Sequence, residues 1–197
     1  MAAAHKLISL HGFDGVTIRE LAAESGVTPK TLYHHFGSKD RLLQIAVEER
    51  FRHLYQAIEE ADIERGVDRL FYILDTIANL TAKNRAYAKA LAPLLQRGEY
   101  SSLSEVRRAS YLRAIRQIDQ ESELVDWLSP ELVADIIYRQ VTMTHVKWFQ
   151  RETPRNLTFS MLKLEVSLIL RSISTGYTFE RTTEVIEGVR EFMRMGR

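Results

Sequence analysis

The sequence predicts an all-α protein with a small N-terminal three-helix helix-turn-helix head, a long connecting helix and a larger α-helical body. Apolar residues recur at three- and four-residue spacing along nearly all of the 197 residues, which is the pattern of amphipathic helices rather than of strands. Only 9 glycines and 4 prolines interrupt that pattern. We assign the head to residues 1–45 and the body to residues 46–197.

Three short helices are predicted in the head. The first covers roughly residues 3–10 and ends at Gly12, because glycine is the usual residue after a helix C-terminus. Thr17 and Glu20 have the spacing of a capping box at the start of the second helix. Thr28 caps the third helix, and Pro29 takes its first position, where the missing N–H has no consequence.

Longer helices follow the head. Ser38 is expected to cap a fourth helix that runs to about residue 61. Ser129 and Pro130 form a clear helix start, with an N-cap followed by proline. The remaining helices are predicted at about 67–83, 85–96, 102–121, 130–151, 157–174 and 181–195.

Composition excludes several classes of protein. The chain has no cysteine, which rules out disulfides, cysteine-ligated zinc and thiol catalysis. No apolar run approaches the ~18 residues of a membrane span, and the N-terminus does not have the pattern of a signal peptide, so a cytoplasmic location is expected. Nucleophile-elbow, phosphate-loop and HExxH motifs are missing. We therefore predict no enzymatic activity, no cofactor and no metal ion.

The third helix of the head has one apolar and one polar face. Val27 and Leu32 are expected to pack inward, and Gly26 can adopt the positive φ that a tight turn between two helices requires. The opposite face carries Lys30, Tyr33 and His34 at i, i+3 and i+4. A cation, a phenol and an imidazole in that arrangement can reach base edges and phosphates in a major groove.

Two runs of the sequence resemble the head of the tetracycline-repressor (TetR) family. They are residues 12–22, GFDGVTIRELA, and residues 26–42, GVTPKTLYHHFGSKDRL. The resemblance implies that Tyr33 and Lys39 contact phosphates and that Lys30 and His34 contribute specificity. The full set of DNA-binding residues it implies is Thr17, Arg19, Thr28, Lys30, Thr31, Tyr33, His34 and Lys39.

The sequence departs from the family pattern in one respect. The family usually has a basic tail before the first helix, whereas the first predicted helix here begins almost at Met1. Without such an arm we expect weaker DNA binding, especially at high salt.

The resemblance also implies a homodimer and a ligand-binding body. The helices at 130–151 and 157–174 would pair with their copies in a four-helix bundle. Its predicted seam is Ile136, Val141, Leu162, Val166 and Ile169. Polar or aromatic side chains on otherwise apolar helices are the candidates for a small-molecule effector site, although each is more often a core or interface residue. They are Tyr72, Thr76, Tyr111, Gln140, Thr144 and Trp148.

These patterns together predict a transcriptional regulator that binds a double-stranded DNA operator. Repression and release by an effector follow from the resemblance. Abundant aromatic residues, and a lack of charge in apolar stretches, favour an apolar or aromatic effector. The alternative is a helical ligand-binding or adaptor protein that does not bind DNA specifically.

Overall fold

The computed structural model describes residues 1–83, 85–96, 101–150 and 155–195, and within them ten helices are present. The helices are α1 (Ala2–Gly15), α2 (Ile18–Ser25), α3 (Pro29–Phe36), α4 (Lys39–Glu60), α5 (Gly66–Lys83), α6 (Arg85–Gln96), α7 (Ser101–Gln120), α8 (Pro130–Gln150), α9 (Arg155–Arg171) and α10 (Gly176–Met195). The predicted all-α fold is confirmed. No helix in the described ranges is long and apolar enough to cross a membrane.

The predicted helix starts in the head are confirmed where their signals are local. Thr17 accepts a hydrogen bond from the Glu20 backbone, and the Glu20 side chain accepts one from the Thr17 backbone, which completes the capping box. Gly12 interrupts α1 with a φ of 71°, so the break expected at that glycine is present even though helical residues continue to Gly15. Gly26 takes the left-handed conformation after α2, with a φ of 67°.

The C-terminal helices differ from their predicted bounds. The sequence predicts a last helix from residue 181, but α10 begins at Gly176. The backbone N–H groups of Tyr177 and Thr178 donate to the carboxylate of Glu123, more than fifty residues away. This distant carboxylate satisfies the first N–H groups of α10, and no local pattern in the sequence shows it.

The end of α9 has a related cause. The predicted helix reaches residue 174, but α9 ends at Arg171. Ile173 then accepts a backbone hydrogen bond from Val125, and Leu124 and Ser174 form an isolated antiparallel bridge. The backbone of this segment pairs with the loop after α7 instead of continuing the helix.

Two compact units divide the chain. The first comprises Met1–Ala57 and Leu80–Val106, and the second comprises Ile58–Asn79 and Arg107–Arg197. Each unit is therefore built from two separate stretches of sequence. The predicted division at residue 45 lies within the first unit, and as a functional boundary it stays a prediction.

The first unit has a small apolar core beneath its three short helices. Ile8 of α1 is completely buried, and Leu32 of α3 is 7% exposed. The expectation that Val27 packs inward is wrong, because its side chain is 40% exposed. Val27 lies in the turn between α2 and α3 rather than on a helix face. The other buried side chains of the head are Ala4, Leu7, Val16, Leu21, Ala22, Leu42 and Leu43.

Helix α5 begins very close to α7 in the second unit. Gly66, the first residue of α5, lies so near α7 that a Cβ there would be 2.6 Å from the carbonyl oxygen of Ala114. The absence of a side chain lets the two backbones approach. Large, fully buried side chains on these two helices are Leu70, Ile73, Leu74, Tyr111, Ile115 and Ile118.

Candidate nucleic-acid interface

The start of α2 is held rigidly by Thr17. Its hydroxyl accepts a hydrogen bond from the Glu20 backbone N–H at 3.3 Å and donates to the Glu20 carboxylate at 2.7 Å. These hydrogen bonds from Thr17 lower the pKa of Glu20. Thr17 is exposed, yet its hydroxyl is already engaged, so a phosphate at this helix end would be met by backbone N–H groups.

The start of α3 has the same design. The Thr28 hydroxyl accepts a hydrogen bond from the Thr31 backbone N–H at 3.2 Å and lies 2.9 Å from the Thr31 hydroxyl. Pro29 occupies the first helical position. At the other end Gly37 takes a φ of 76° and donates to the carbonyl of Tyr33, so α3 is a short helix with both ends fixed.

Lys30, Tyr33 and His34 form one exposed face of α3, as the spacing predicts. All three are exposed, and the phenol of Tyr33 is 49% exposed. Leu32, on the opposite side of the same helix, is buried. The apolar side of α3 thus anchors it in the head while the reading face, defined as Lys30, Tyr33 and His34, points to solvent.

Two further predicted contacts flank the reading face. Arg19 is exposed on α2. At the start of α4 the Ser38 hydroxyl accepts from the Arg41 backbone N–H at 3.1 Å, which confirms Ser38 as the cap. The Lys39 ammonium lies 3.6 Å from the Asp40 carboxylate, so a phosphate would draw Lys39 away from a weak, solvent-screened ion pair.

Residues 1–45, which contain all of these side chains, match the family model for bacterial regulatory proteins of the tetR family. They form a tetR-family domain. UidR, an HTH-type transcriptional regulator of Escherichia coli, is 31% identical over 80 residues, which are 40% of this chain. The aligned segment spans 39% of the length of UidR, so this chain matches well under half of that relative.

Solved structures share the fold of the chain beyond the tetR-family domain. A TetR transcription regulator from Haloarcula marismortui superposes with a TM-score of 0.76 at 16% identity, over 88% of this chain and 95% of that chain. The regulator FadR of Bacillus subtilis, solved with stearoyl-CoA, gives a TM-score of 0.73 at 19% identity, over 84% of this chain and 95% of FadR. At these identities the similarity establishes a TetR-type fold.

The six predicted effector residues all lie in the second compact unit, outside the tetR-family domain. Tyr111 is fully buried and Trp148 is 4% exposed, whereas Tyr72 is 40% exposed on α5. Thr144 donates a hydrogen bond to Glu165 at 2.5 Å, which ties α8 to α9. Thr76 and Gln140 are half-buried. Two hollows lined by described residues, one in the head and one on α7, contain none of the six, so their effector role stays a prediction.

One premise of the effector prediction is wrong, because the second unit does bury a cation. Arg107 of α7 is only 6% exposed, donates to the Thr142 hydroxyl at 3.3 Å and lies over the ring of Tyr138. The buried imidazole of His145 is neutral at pH 7, since burial and then the charge of Arg107 lower its pKa to about 4. Apolar spacing alone missed Arg107, although it precedes the fully buried Tyr111 by one helical turn.

The predicted dimer seam divides into two groups. Val141, Leu162 and Val166 are at most 1% exposed within a single chain. A partner could not reach them while this fold is kept, so they belong to the core of the second unit rather than to a seam. Ile136 is 36% exposed and Ile169 is half-buried. Exposed apolar neighbours on the same two helices are Leu132, Met143 and Leu168.

Proposed function

We propose that this chain is a sequence-specific, DNA-binding transcriptional regulator. The observation that carries the proposal is the reading face of α3, which is exposed on a helix whose opposite side is buried and whose ends are capped. A rigid short helix with a cation, a phenol and an imidazole on one face suits a major groove. The tetR-family domain and the similarity to UidR support the same function.

The reading face gives a direct test of this function. Duplexes selected by the wild-type protein from a random-sequence pool supply the operator probe. Lys30→Ala and His34→Ala should lower affinity for the selected duplex by about 5- to 150-fold, the equivalent of one to three kcal/mol, and relax the preference at individual base pairs. Lys39→Ala should weaken binding to all duplexes alike, with a smaller salt dependence between about 50 and 200 mM.

A protein that recovers no preferred sequence from the pool would contradict the proposal. That result would favour the alternative, a helical ligand-binding or adaptor protein that does not bind DNA specifically. A second contradiction would arise if Lys30→Ala, like Lys39→Ala, weakened binding to selected and random duplexes by the same factor. Such an outcome would leave only electrostatic attraction to phosphates.

We further propose that the regulator acts as a homodimer. Two heads are needed to contact successive major grooves, which lie about 34–36 Å apart. The exposed apolar side chains of α8 and α9, with Ile136 among them, and the half-buried Ile169 support an interface on these helices. An operator with two similar half-sites, recovered in the same selection, is the expected sign of the dimer.

The regulator is proposed to be a cytoplasmic repressor, not an enzyme, that a small molecule releases from DNA. A shift of α4, whose first turn carries Lys39, is the proposed route by which an effector changes the spacing of the heads. The FadR structure holds stearoyl-CoA, which supports an effector with a long apolar part. The ring of Trp148, which is 4% exposed, suits an apolar or aromatic group.

Thermal unfolding in the presence of candidate effectors tests this part. A compound at about 100 times its Kd should stabilise the protein by about 2.7 kcal/mol and raise its Tm by several degrees. Stearoyl-CoA, stearate and neutral aromatic compounds are the probes, and the binder should also release the operator duplex. A panel in which the only binders are strongly anionic compounds without a long apolar or aromatic part would overturn the apolar or aromatic assignment. Binding without release would overturn the switch.

A further inference from the structure

The first helix of the head is attached to α6 by a part-buried polar contact. Nδ1 of His5, on α1, lies 3.1 Å from the hydroxyl oxygen of Tyr87, on α6. The two rings meet edge to face with centroids 5.5 Å apart. Tyr87 is 4% exposed, and both residues belong to the first compact unit. The two residues are 82 positions apart in sequence, so the contact joins two distant helices.

A third helix closes the contact. The guanidinium of Arg50, on α4, lies 4.8 Å from the centroid of the Tyr87 ring. Burial raises the pKa of Tyr87, so its hydroxyl keeps its proton and hydrogen-bonds to His5, with the imidazole tautomer deciding which of the two donates. The side chain of Tyr87 is therefore held at two places. Arg50 contacts the face of its ring, and His5 hydrogen-bonds to its hydroxyl.

The imidazole of His5 is neutral at neutral pH. Burial, followed by the charges of Arg50 and of the Met1 amino group, lowers the pKa of His5, while Glu49 opposes them. Protonation would place a second positive charge beside Arg50, which disfavours the contact. The contact is therefore favoured at neutral pH and weakened in acid.

Helix α1 also anchors α2 and α3, and α3 carries the reading face. Lys6 of α1 forms an ion pair with Glu24 of α2 at 2.7 Å. Leu7 and Ile8 of α1 and Leu21 of α2 are buried together with Leu32 of α3. A displacement of α1 is consequently a displacement of α2 and α3, because these helices share one close-packed core.

We propose that His5 and Tyr87 are positioning residues for DNA recognition, which attach α1, and through it the reading face, to α6. The proposal rests on the proposed function, since it concerns the placement of a DNA-reading surface. Through this contact α6 supports the head, in addition to α4, which follows α3 directly along the chain. Neither residue touches DNA in this scheme, and both act through the orientation of α1.

Tyr87→Phe is the decisive variant. It keeps the ring that packs beneath Arg50 and removes only the hydroxyl that hydrogen-bonds to His5. Affinity for the duplex selected by the wild-type protein should fall about 5- to 10-fold, and hydrogen exchange of the α1 amides should accelerate by a similar factor. His5→Ala should have the same effects, and the double variant should be no worse than either single variant.

Two controls separate a positioning role from simple loss of packing. His5→Asn retains a hydrogen-bonding group near the place of Nδ1 and should restore most of the affinity that His5→Ala loses. His53→Ala removes an imidazole that is exposed on α4 and should leave affinity and exchange unchanged. The ratio of wild-type to Tyr87→Phe affinity should fall as the pH is lowered from about 7.5 to 5, because a protonated His5 beside Arg50 weakens the contact in the wild type.

The outcomes are distinguishable from those that test the proposed function. Faster α1 exchange together with weaker and pH-dependent operator binding supports the proposal. Unchanged affinity in Tyr87→Phe, or an affinity ratio that does not vary with pH, overturns it. A wild-type protein that selects no DNA sequence would refute the proposed function. In that case hydrogen exchange still tests the contact. Equal exchange rates of the α1 amides in wild type and Tyr87→Phe would refute the attachment of α1 to α6.

Discussion

Adding one methyl group at Gly66 should destabilise the protein by about 2–3 kcal/mol. The new Cβ would lie 2.6 Å from the carbonyl oxygen of Ala114 and 2.7 Å from the backbone nitrogen of Ile118. Backbone atoms cannot turn away as a flexible side chain can, so the start of α5 would have to move off α7. That movement would also stretch the hydrogen bond from the Gly66 N–H to the Glu121 carboxylate, which is 3.0 Å long.

Gly188→Ala is the matched control for Gly66→Ala. Gly188 lies inside α10, and a Cβ there would meet nothing within 4 Å. Alanine should therefore stabilise the protein by about 0.5–1 kcal/mol through helix propensity alone. Urea unfolding monitored by circular dichroism measures both changes. Equal effects of the two substitutions would show that close approach is not what requires glycine at position 66.

Replacing Glu123 by alanine should lower stability by about 2–4 kcal/mol. Its two carboxylate oxygens accept hydrogen bonds from the backbone N–H groups of Tyr177 and Thr178, from the Thr178 hydroxyl at 2.6 Å and from Arg65 at 2.7 Å. Glu123 is 8% exposed. Without its carboxylate the first turn of α10 would have buried donors with no partner.

The effect of Glu123 should depend on pH in a defined direction. Burial alone would raise the pKa of Glu123, but the hydrogen bonds from Thr178 and Tyr177 and the charge of Arg65 outweigh it, so the pKa lies below the ordinary value of 4.5. A carboxyl with a lowered pKa contributes stability above its unfolded pKa and loses it as the pH falls through the folded one. The stability difference between wild type and Glu123→Gln should therefore shrink below about pH 4.5.

Glu131→Gln provides the control for Glu123. Glu131 pairs with Arg116 at 2.8 Å, but both side chains are 56% exposed. An exposed ion pair of this kind is screened by solvent and contributes little to stability. Thermal unfolding at neutral and acid pH compares the two variants. A loss of stability in Glu131→Gln as large as that in Glu123→Gln would contradict the capping role of Glu123.

The sequence predicts those parts of the fold whose causes are local. The start of α2 is signalled by Thr17 with Glu20, and the start of α3 by Thr28 with Pro29. Because each signal lies within four residues of sequence, it could be predicted, and both starts are confirmed. The start of α10 could not be predicted, because its capping group, Glu123, lies in a different loop and only folding brings it there. A pattern read along one segment contains no information about such a partner.

The candidate site shows the same division. The exposure of Lys30, Tyr33 and His34 follows from helical spacing, since Leu32 must face the core. The contact between His5 and Tyr87 joins positions more than eighty residues apart, and neither residue has a neighbour in sequence that reveals it. Arg107 was missed for another reason. A charged residue on an apolar stripe is usually taken as the edge of that stripe, but its guanidinium here is covered by Tyr138 and Thr142.

The discontinuous first unit has a practical consequence for protein engineering. A fragment that stops after α4 would omit α6 and leave the Arg50 and His5 sides of their contact exposed to water. Chimaeric regulators made by exchanging DNA-binding segments between proteins would face the same problem if they were joined near residue 45. An exchange that carries residues 80–106 together with residues 1–57 would transfer the complete unit. Modularity in this protein therefore follows the three-dimensional unit and not the order of residues along the chain.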